Sequence, residues 1–294
     1  MKEGELKLEN KIESEIARLS DFNWRIPTLD IDGIHTPVQV DEELISFPSE
    51  DYSGEESNSE ASGFWAEERA CVIGKILSEQ EINLLWEIGA GNGNAAIPLR
   101  KNGIDVICVE PLRSGTLTLV KNGFLTFQST LETLELPDNS IQAIGAFDVL
   151  EHLEYPEILI REIFRILKPG GYFICSVPAY QWLFSNFDIS IGHYRRYSRR
   201  KLEHLVATSG LNTIEKKSIF GYLILPAFIL RRIPYLLGFK QHSNNVKKKL
   251  GGKPSALNKL VFLFKFMSKL EEKLDLSIGL THIFMTQKPF RIDG

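Results

Sequence analysis

Short, almost uninterrupted apolar runs alternate along the middle of this chain with longer stretches whose apolar residues recur every three or four positions. The runs at 83–88, 104–109, 124–127, 141–147 and 171–177 have the length of strands buried on both faces. Between them, residues 156–167 carry Ile158, Leu159, Ile163, Ile166 and Leu167 at helical spacing, which predicts a helix with one apolar face. Strands alternating with such helices predict a parallel sheet covered on both sides. Upstream, Leu8, Ile12, Ile16 and Leu19 predict a short amphipathic helix before Asp21, expected to cap the domain or pair with a partner chain. Further helices are expected from Ser62 to about Leu77 and over 199–208.

The first apolar run ends in Trp86-Glu87-Ile88-Gly89-Ala90-Gly91-Asn92-Gly93-Asn94. Glycines at alternate positions, directly after a strand and before a helix, allow positive φ and bring a small molecule against backbone amides. A dinucleotide turn would read Gly-x-Gly-x-x-Gly/Ala; Gly89 and Gly91 satisfy it, but Asn94 fails the third position, which disfavours a nicotinamide oxidoreductase. The second run, Ile104-Asp105-Val106-Ile107-Cys108-Val109-Glu110, ends in a carboxylate about twenty residues past the turn, where an acidic side chain accepts hydrogen bonds from ribose hydroxyls.

Three further segments follow in order: Leu134-Glu135-Leu136-Pro137-Asp138-Asn139-Ser140, then Asp148-Val149-Leu150-Glu151-His152, then Leu167-Lys168-Pro169-Gly170-Gly171. Together with the glycine turn, this series resembles the class I S-adenosylmethionine-dependent methyltransferases, in the bacterial branch with small-molecule or lipid-linked acceptors. The resemblance implies a Rossmann-like, doubly wound α/β sheet of seven strands, the last antiparallel, with S-adenosylmethionine as cofactor. Glu87 stands in the family's acidic position, and Gly89, Gly91 and Gly93 would pack against the amino-acid end of the cofactor. Glu110 would meet the ribose, Thr130 and Leu131 the adenine, and Asp148 the cleft after the fourth strand. Arg69, in an aromatic segment before the glycine turn, would pair with the cofactor's carboxylate. Two departures are visible: Ser129-Thr130-Leu131 lacks the family's acidic adenine contact, and Ile141-Gln142 replaces Phe-Asp, so a catalytically weakened cofactor-binding or scaffold protein stays open.

After the fifth run come Tyr180 and Trp182, then Asp188-Ile189-Ser190-Ile191-Gly192-His193-Tyr194-Arg195-Arg196-Tyr197. The latter resembles a Gly-His-x-Arg-Arg-Tyr segment of the same branch, and Tyr180, Trp182, Asp188, Arg196 and Tyr197 are its substrate-side candidates. His193 and, behind it, His152 are the candidate bases should a hydroxyl acceptor need one. His193 and Arg196 have the alternative of tying the loop to Asp188. Methyl transfer itself asks mainly for alignment and exclusion of water, so O-methylation without a base is equally compatible.

Composition narrows the setting. A net charge of −4 argues against a dedicated nucleic-acid binder, and the 43% hydrophobic share supports a full core. Cys71, Cys108 and Cys175 lie in apolar runs and are expected to be buried thiols, with no disulfide framework and no metal-ligand spacing; no metal ligand is assigned. The charged Met1-Lys2-Glu3-Gly4-Glu5 start lacks a signal-peptide core, so a cytoplasmic location is expected. Residues 41–60, with about eight carboxylates and no Lys or Arg, read as a solvated loop. The expected division is 1–62 for the N-terminal helix and acidic loop, 63–218 for the core, 219–278 for a helical insertion, and 279–294 for the last core strand and tail. Within that insertion, 219–230 is almost wholly apolar, Arg231-Arg232 and Lys247-Lys248-Lys249 follow, and Leu263, Phe266, Met267, Leu270 and Leu274 oppose Lys265, Lys269 and Lys273. Two readings compete over 219–274: a peripheral contact with the cytoplasmic face of an anionic membrane, or a buried lid or oligomer interface.

Overall fold

A computed structural model describes residues 3–27, 29, 34–36, 60–238, 263–271, 273 and 277–290 of the chain. Along the chain run α1 (Glu3–Ser20), α2 (Glu60–Glu79), β1 (Leu84–Ile88), α3 (Ala96–Lys101), β2 (Asp105–Val109), α4 (Arg113–Lys121), β3 (Thr126–Phe127) and β4 (Ile141–Phe147). After these come α5 (Pro156–Ile166), β5 (Leu167–Pro178), α6 (Asn186–Ser190), α7 (Arg199–Ala207), β6 (Asn212–Ile219) and β7 (Thr281–Gln287). The strands form one seven-stranded sheet in the order β3-β2-β1-β4-β5-β7-β6. β1 through β5 pair in parallel, whereas β7 runs antiparallel to both β5 and β6. This is the Rossmann-like arrangement expected, and the order reverses at β1, where β4 lies on the opposite side from β2.

The near-continuous apolar strands are explained by burial on both faces. Successive side chains alternate, so Leu85, Val106, Cys108, Ile174 and Ile283 enter one core layer, and Trp86, Ile107, Val109, Phe173 and Phe284 enter the other. Trp86 stacks on Phe127 with ring centroids 5.6 Å apart. The second layer is closed by α5 through Leu159, Ile160, Ile163 and Ile166, each a full burial worth about 2 kcal/mol relative to exposure. From α1, Ile12, Ile16 and Leu19 pack against the same layer, which agrees with a capping role.

Several sequence expectations shift in register. Ile158 is half exposed, while Ile160 is buried in its place, because the pattern offered more apolar positions than one helical face can hide. Cys71 is exposed rather than buried: it occupies the turn of α2 opposite Ala70, Ile73 and Leu77, so a local apolar run was read where helical periodicity decides. Cys108 and Cys175 are buried. The fifth strand starts at Leu167 rather than 171; Leu167 pairs with Ile141 and Tyr172 with Ala143, so the intervening Lys-Pro-Gly-Gly bulges out of the ladder, with Gly170 at φ +77°. The acidic 41–59 stretch, Lys247–Lys249 and Leu274 lie outside the described residues.

Candidate functional site

The site begins where β1 turns towards α3. Gly89, Gly91 and Gly93 all have positive φ, at +67°, +56° and +83°. A Cβ on Gly89 would stand 2.8 Å from Val149 Cγ2, so conformation and space both demand glycine there. Glu110, at the end of β2, accepts from the Gly91 N–H at 2.7 Å through one oxygen and from the Leu112 N–H at 2.8 Å through the other. Its buried carboxylate thus braces the turn from beneath.

Above the turn lies a cleft of about 710 Å³, at the carboxyl ends of the strands and at the point where the strand order reverses. Its floor is made by Glu87, Gly89, Gly91 and Asn92, and one wall by Trp65 and Arg69 of α2. Burial pushes the Glu87 carboxyl up to about 8, against the lowering charge of Arg69. Among the described residues, Glu87 Oε2 and Asn92 Oδ1 are buried without a hydrogen-bond partner, and so is the Arg69 Nε. Two unsatisfied acceptors and one donor around a glycine cradle fit a ligand end that carries both an ammonium and a carboxylate, as the methionine part of S-adenosylmethionine does. Arg69 is paired with Asp148, which also accepts from Ser176 Oγ at 3.0 Å and holds φ at +56°. Arg69 and Asp148 thus share the cleft wall as an ion pair.

Thr130 and Leu131 stand apart from this cleft. Thr130 Oγ1 hydrogen-bonds Thr133 Oγ1 at 3.1 Å, and Leu131 is packed in the core beside Phe127, where its side chain serves stability.

The loop after β5 supplies a buried polar cluster. Asp188, wholly buried, accepts from Arg196 Nε at 2.6 Å and from the Ser185 backbone N–H at 2.9 Å, and lies 3.0 Å from His193 Nδ1. Burial alone would raise the Asp188 carboxyl, but the hydrogen bonds and charges of His193 and Arg196 hold it below the usual range. His193, Arg196, Glu151 and His152 all line the cleft. Asp188 lies behind them and holds His193 and Arg196 through these contacts. Tyr197 is also displaced from its expected place: its hydroxyl donates to the Leu150 carbonyl at 3.0 Å inside the core. Burial, then the neighbouring His193, pushes the His152 imidazole down to about 4, which makes it a poor proton acceptor. Tyr180 and Trp182 line a separate hollow of about 650 Å³ with Arg232 and Tyr235, outside the main cleft.

The far wall comes from the segment for which a lid was one of the expectations. The segment between β6 and β7 opens with Gly221–Leu223, Ile224–Ala227, a π-helical turn at Phe228–Arg232, and Ile233–Leu236. Phe220, Leu223, Pro226, Ala227, Leu230 and Arg231 reach the cleft, and Arg231 stacks over Phe187 at 4.2 Å. Helix 263–271 locks this wall to the core: Glu271 accepts from the Phe220 and Gly221 N–H groups at 3.1 and 2.6 Å, and Phe264 packs 5.6 Å from Trp65. The apolar run signalled a special segment, but not which residues turn inward. Glu151 was missed as well. It lies 0% exposed, its carboxyl held well above the usual range by burial and by the charge of Asp148.

A family model described as a methyltransferase domain matches residues 59–216, more than half of the chain. Among curated relatives, "Probable S-adenosylmethionine-dependent methyltransferase" of Mycolicibacterium smegmatis is 32% identical over 31% of this chain and 36% of its own length. A sterol 24-C-methyltransferase of Aspergillus fumigatus is 34% identical over 28% of this chain and 19% of its own. This chain spans about two fifths of the length of the curated relatives it matches. A solved SAM dependent methyltransferase from Archaeoglobus fulgidus, 16% identical, aligns with 74% of this chain and 94% of its own at a TM-score of 0.48. Since that match covers more than half of the chain and includes the glycine cradle, the chain belongs to the methyltransferase domain family, and S-adenosylmethionine is its cofactor.

Proposed function

We propose that this protein is an S-adenosylmethionine-dependent methyltransferase that transfers the methyl group to a hydroxyl oxygen of an amphipathic, lipid-linked acceptor drawn from a membrane surface. When bound, the cofactor supplies a methyl group already activated by its sulfonium. The protein's part is to align the acceptor and keep water out. Gly89, Gly91, Glu87, Asn92 and Arg69 are the residues that hold the cofactor, and His193, Arg196 and Arg231 face the acceptor.

The observation that carries the lipid reading is the two-sidedness of the 221–236 wall. Its Leu223, Pro226 and Ala227 line the cleft, while Leu225, Ile229 and Leu236, with the adjoining Leu237, are exposed at 66%, 49%, 60% and 67%. Leu263, Phe266 and Leu270 on helix 263–271 are exposed too, beside Lys265 and Lys269. An exposed apolar patch with cations at its border suits the interface of an anionic bilayer, and an acceptor chain leaving the cleft would enter it directly. No helix among the described residues is long and apolar enough to cross a membrane, so the contact would be peripheral. The sterol 24-C-methyltransferase relative has an apolar acceptor in its name, which supports the same acceptor class.

Flotation with phosphatidylcholine vesicles, with and without phosphatidylglycerol, tests the surface, and methyl transfer from labelled cofactor into lipid extract tests the acceptor. Co-flotation with the anionic vesicles and label in the lipid phase are expected. Protein that stays in the aqueous fraction under both conditions, with label only in water-soluble products, would overturn the lipid reading. Tight cofactor binding with no turnover on any acceptor would favour the non-catalytic scaffold instead.

A further inference from the structure

Three metal-ligating side chains from different parts of the chain meet in the cleft. Glu151 and His152 follow β4, and His193 comes from the loop after β5. One ligating atom from each lies within 4.8 Å of the others, and His193 Nε2 stands 3.9 Å from Glu151 Oε1. Bonds of about 2.0–2.2 Å to a common ion put two ligands of a tetrahedral set about 3.3–3.6 Å apart, so a closure of up to about 1.5 Å between the side chains completes the set.

Two further observations point to a ligand. Among the described residues, neither oxygen of the Glu151 carboxyl has a hydrogen-bond partner, although the side chain is wholly buried and faces the cleft. Burial of such a group without a partner is costly, and a cation satisfies it. His193 has the support that metal-ligating histidines have: its Nδ1 lies 3.0 Å from Asp188 Oδ1, which leaves Nε2 turned towards Glu151. Asp188 is itself fixed by Arg196 and Ser185. The His193 ring is therefore oriented by a group outside the trio.

We propose that Glu151, His152 and His193 form a divalent-cation site in the acceptor half of the cleft. Two imidazoles and one carboxylate suit a transition-series ion, Zn²⁺ or Mn²⁺, better than Mg²⁺ or Ca²⁺, which favour all-oxygen shells. Three protein ligands leave positions open to the cleft for an acceptor oxygen. This role rests on the methyltransferase reading. There the ion orients the hydroxyl and eases loss of its proton to water; the oxygen–methyl bond then forms as the carbon–sulfur bond breaks, and that bond's electron pair stays on sulfur. No oxidant or reductant is consumed. The spacing along the chain hides the site, because about forty residues separate His193 from the adjacent Glu-His pair and no regular ligand motif spans them.

The test is metal binding by the full chain, stripped with chelator and titrated with Zn²⁺ or Mn²⁺ alone, followed by calorimetry and, for Mn²⁺, electron paramagnetic resonance. One ion per chain is expected. Glu151→Gln and His193→Gln should each weaken it at least tenfold, while His282→Gln, at a residue that does not line the cleft, leaves it unchanged. Asp188→Asn should weaken it by about tenfold and broaden the Mn²⁺ spectrum, as loss of an orienting partner does. Thermal melts and S-adenosylmethionine binding by the same variants show that they are folded. Wild type without saturable binding, or folded Glu151→Gln and His193→Gln proteins that bind like wild type, would overturn the site. The readout involves no turnover: an ion-binding protein that methylates nothing would sink the proposed activity and leave the site standing.

Discussion

Gly89 shows how far one hydrogen reaches in this fold. Its φ of +67° strains any other residue, and a methyl group would press Val149 at 2.8 Å, on the segment that leads to Glu151 and His152. Gly89→Ala is expected to cost about 1–3 kcal/mol of stability and to weaken S-adenosylmethionine binding at least tenfold, read by urea denaturation and calorimetry. Unchanged affinity would mean that the turn does not meet the cofactor. Asp188 is the opposite case, a residue whose worth lies in its partners. Asp188→Asn leaves the buried Arg196 guanidinium without its counter-charge, and a loss of about 3 kcal/mol is expected in the same denaturation assay. Residue types alone marked both positions, but in different depth. A glycine after a strand announces its own backbone requirement, whereas an aspartate in a polar loop reads equally as a substrate contact or as a brace. Only the positions of His193, Arg196 and Ser185 around it distinguish the two.

At the scale of elements, the antiparallel pair β6 and β7 carries a pH-sensitive joint. Arg199 donates to Ser218 Oγ at 2.9 Å, and that hydroxyl lies 2.7 Å from His282 Nδ1, with the imidazole buried between the strands. Burial, then the Arg199 charge, lowers the His282 imidazole from 6.5 to about 4. The unfolded chain takes up this proton near pH 6.5 and the folded chain only near pH 4, so acid between these values favours unfolding. Stability from this site is fully present above pH 6.5 and falls as the pH drops towards 4, by at most about 3 kcal/mol. Thermal melts from pH 7.5 to about 4.5 should show a shallower acid loss for His282→Gln than for wild type; identical slopes would remove His282 from the account. The existence of β1 to β5 was legible from apolar runs, since burial on both faces leaves few polar positions, whereas the half-exposed edge strand β6 carries no such run. Strand limits were less so. The Lys168–Gly171 bulge within β5 depends on the Ile141–Leu167 pairing across the sheet, which no local window contains.

For the whole molecule, the governing feature is that the helical segment between β6 and β7 closes the cleft on one side and exposes apolar residues on the other. Replacing Leu225, Leu236 and Leu237 together by serine should abolish flotation with anionic vesicles while cofactor affinity stays within about twofold, because none of the three lines the cleft. Flotation that survives the triple change would move the membrane contact elsewhere. The strand and helix succession and the glycine turn are written in neighbouring residues through periodicity and backbone freedom, and the cofactor was legible as what the resemblance of the ordered motifs to a known family implies. Tertiary structure alone decided that Glu110 braces the turn, that Leu131 and Tyr197 belong to the core, and that Glu151, His152 and His193 converge. Those facts depend on contacts between segments far apart in the chain, which packing of the sheet and its helices brings within a few ångströms.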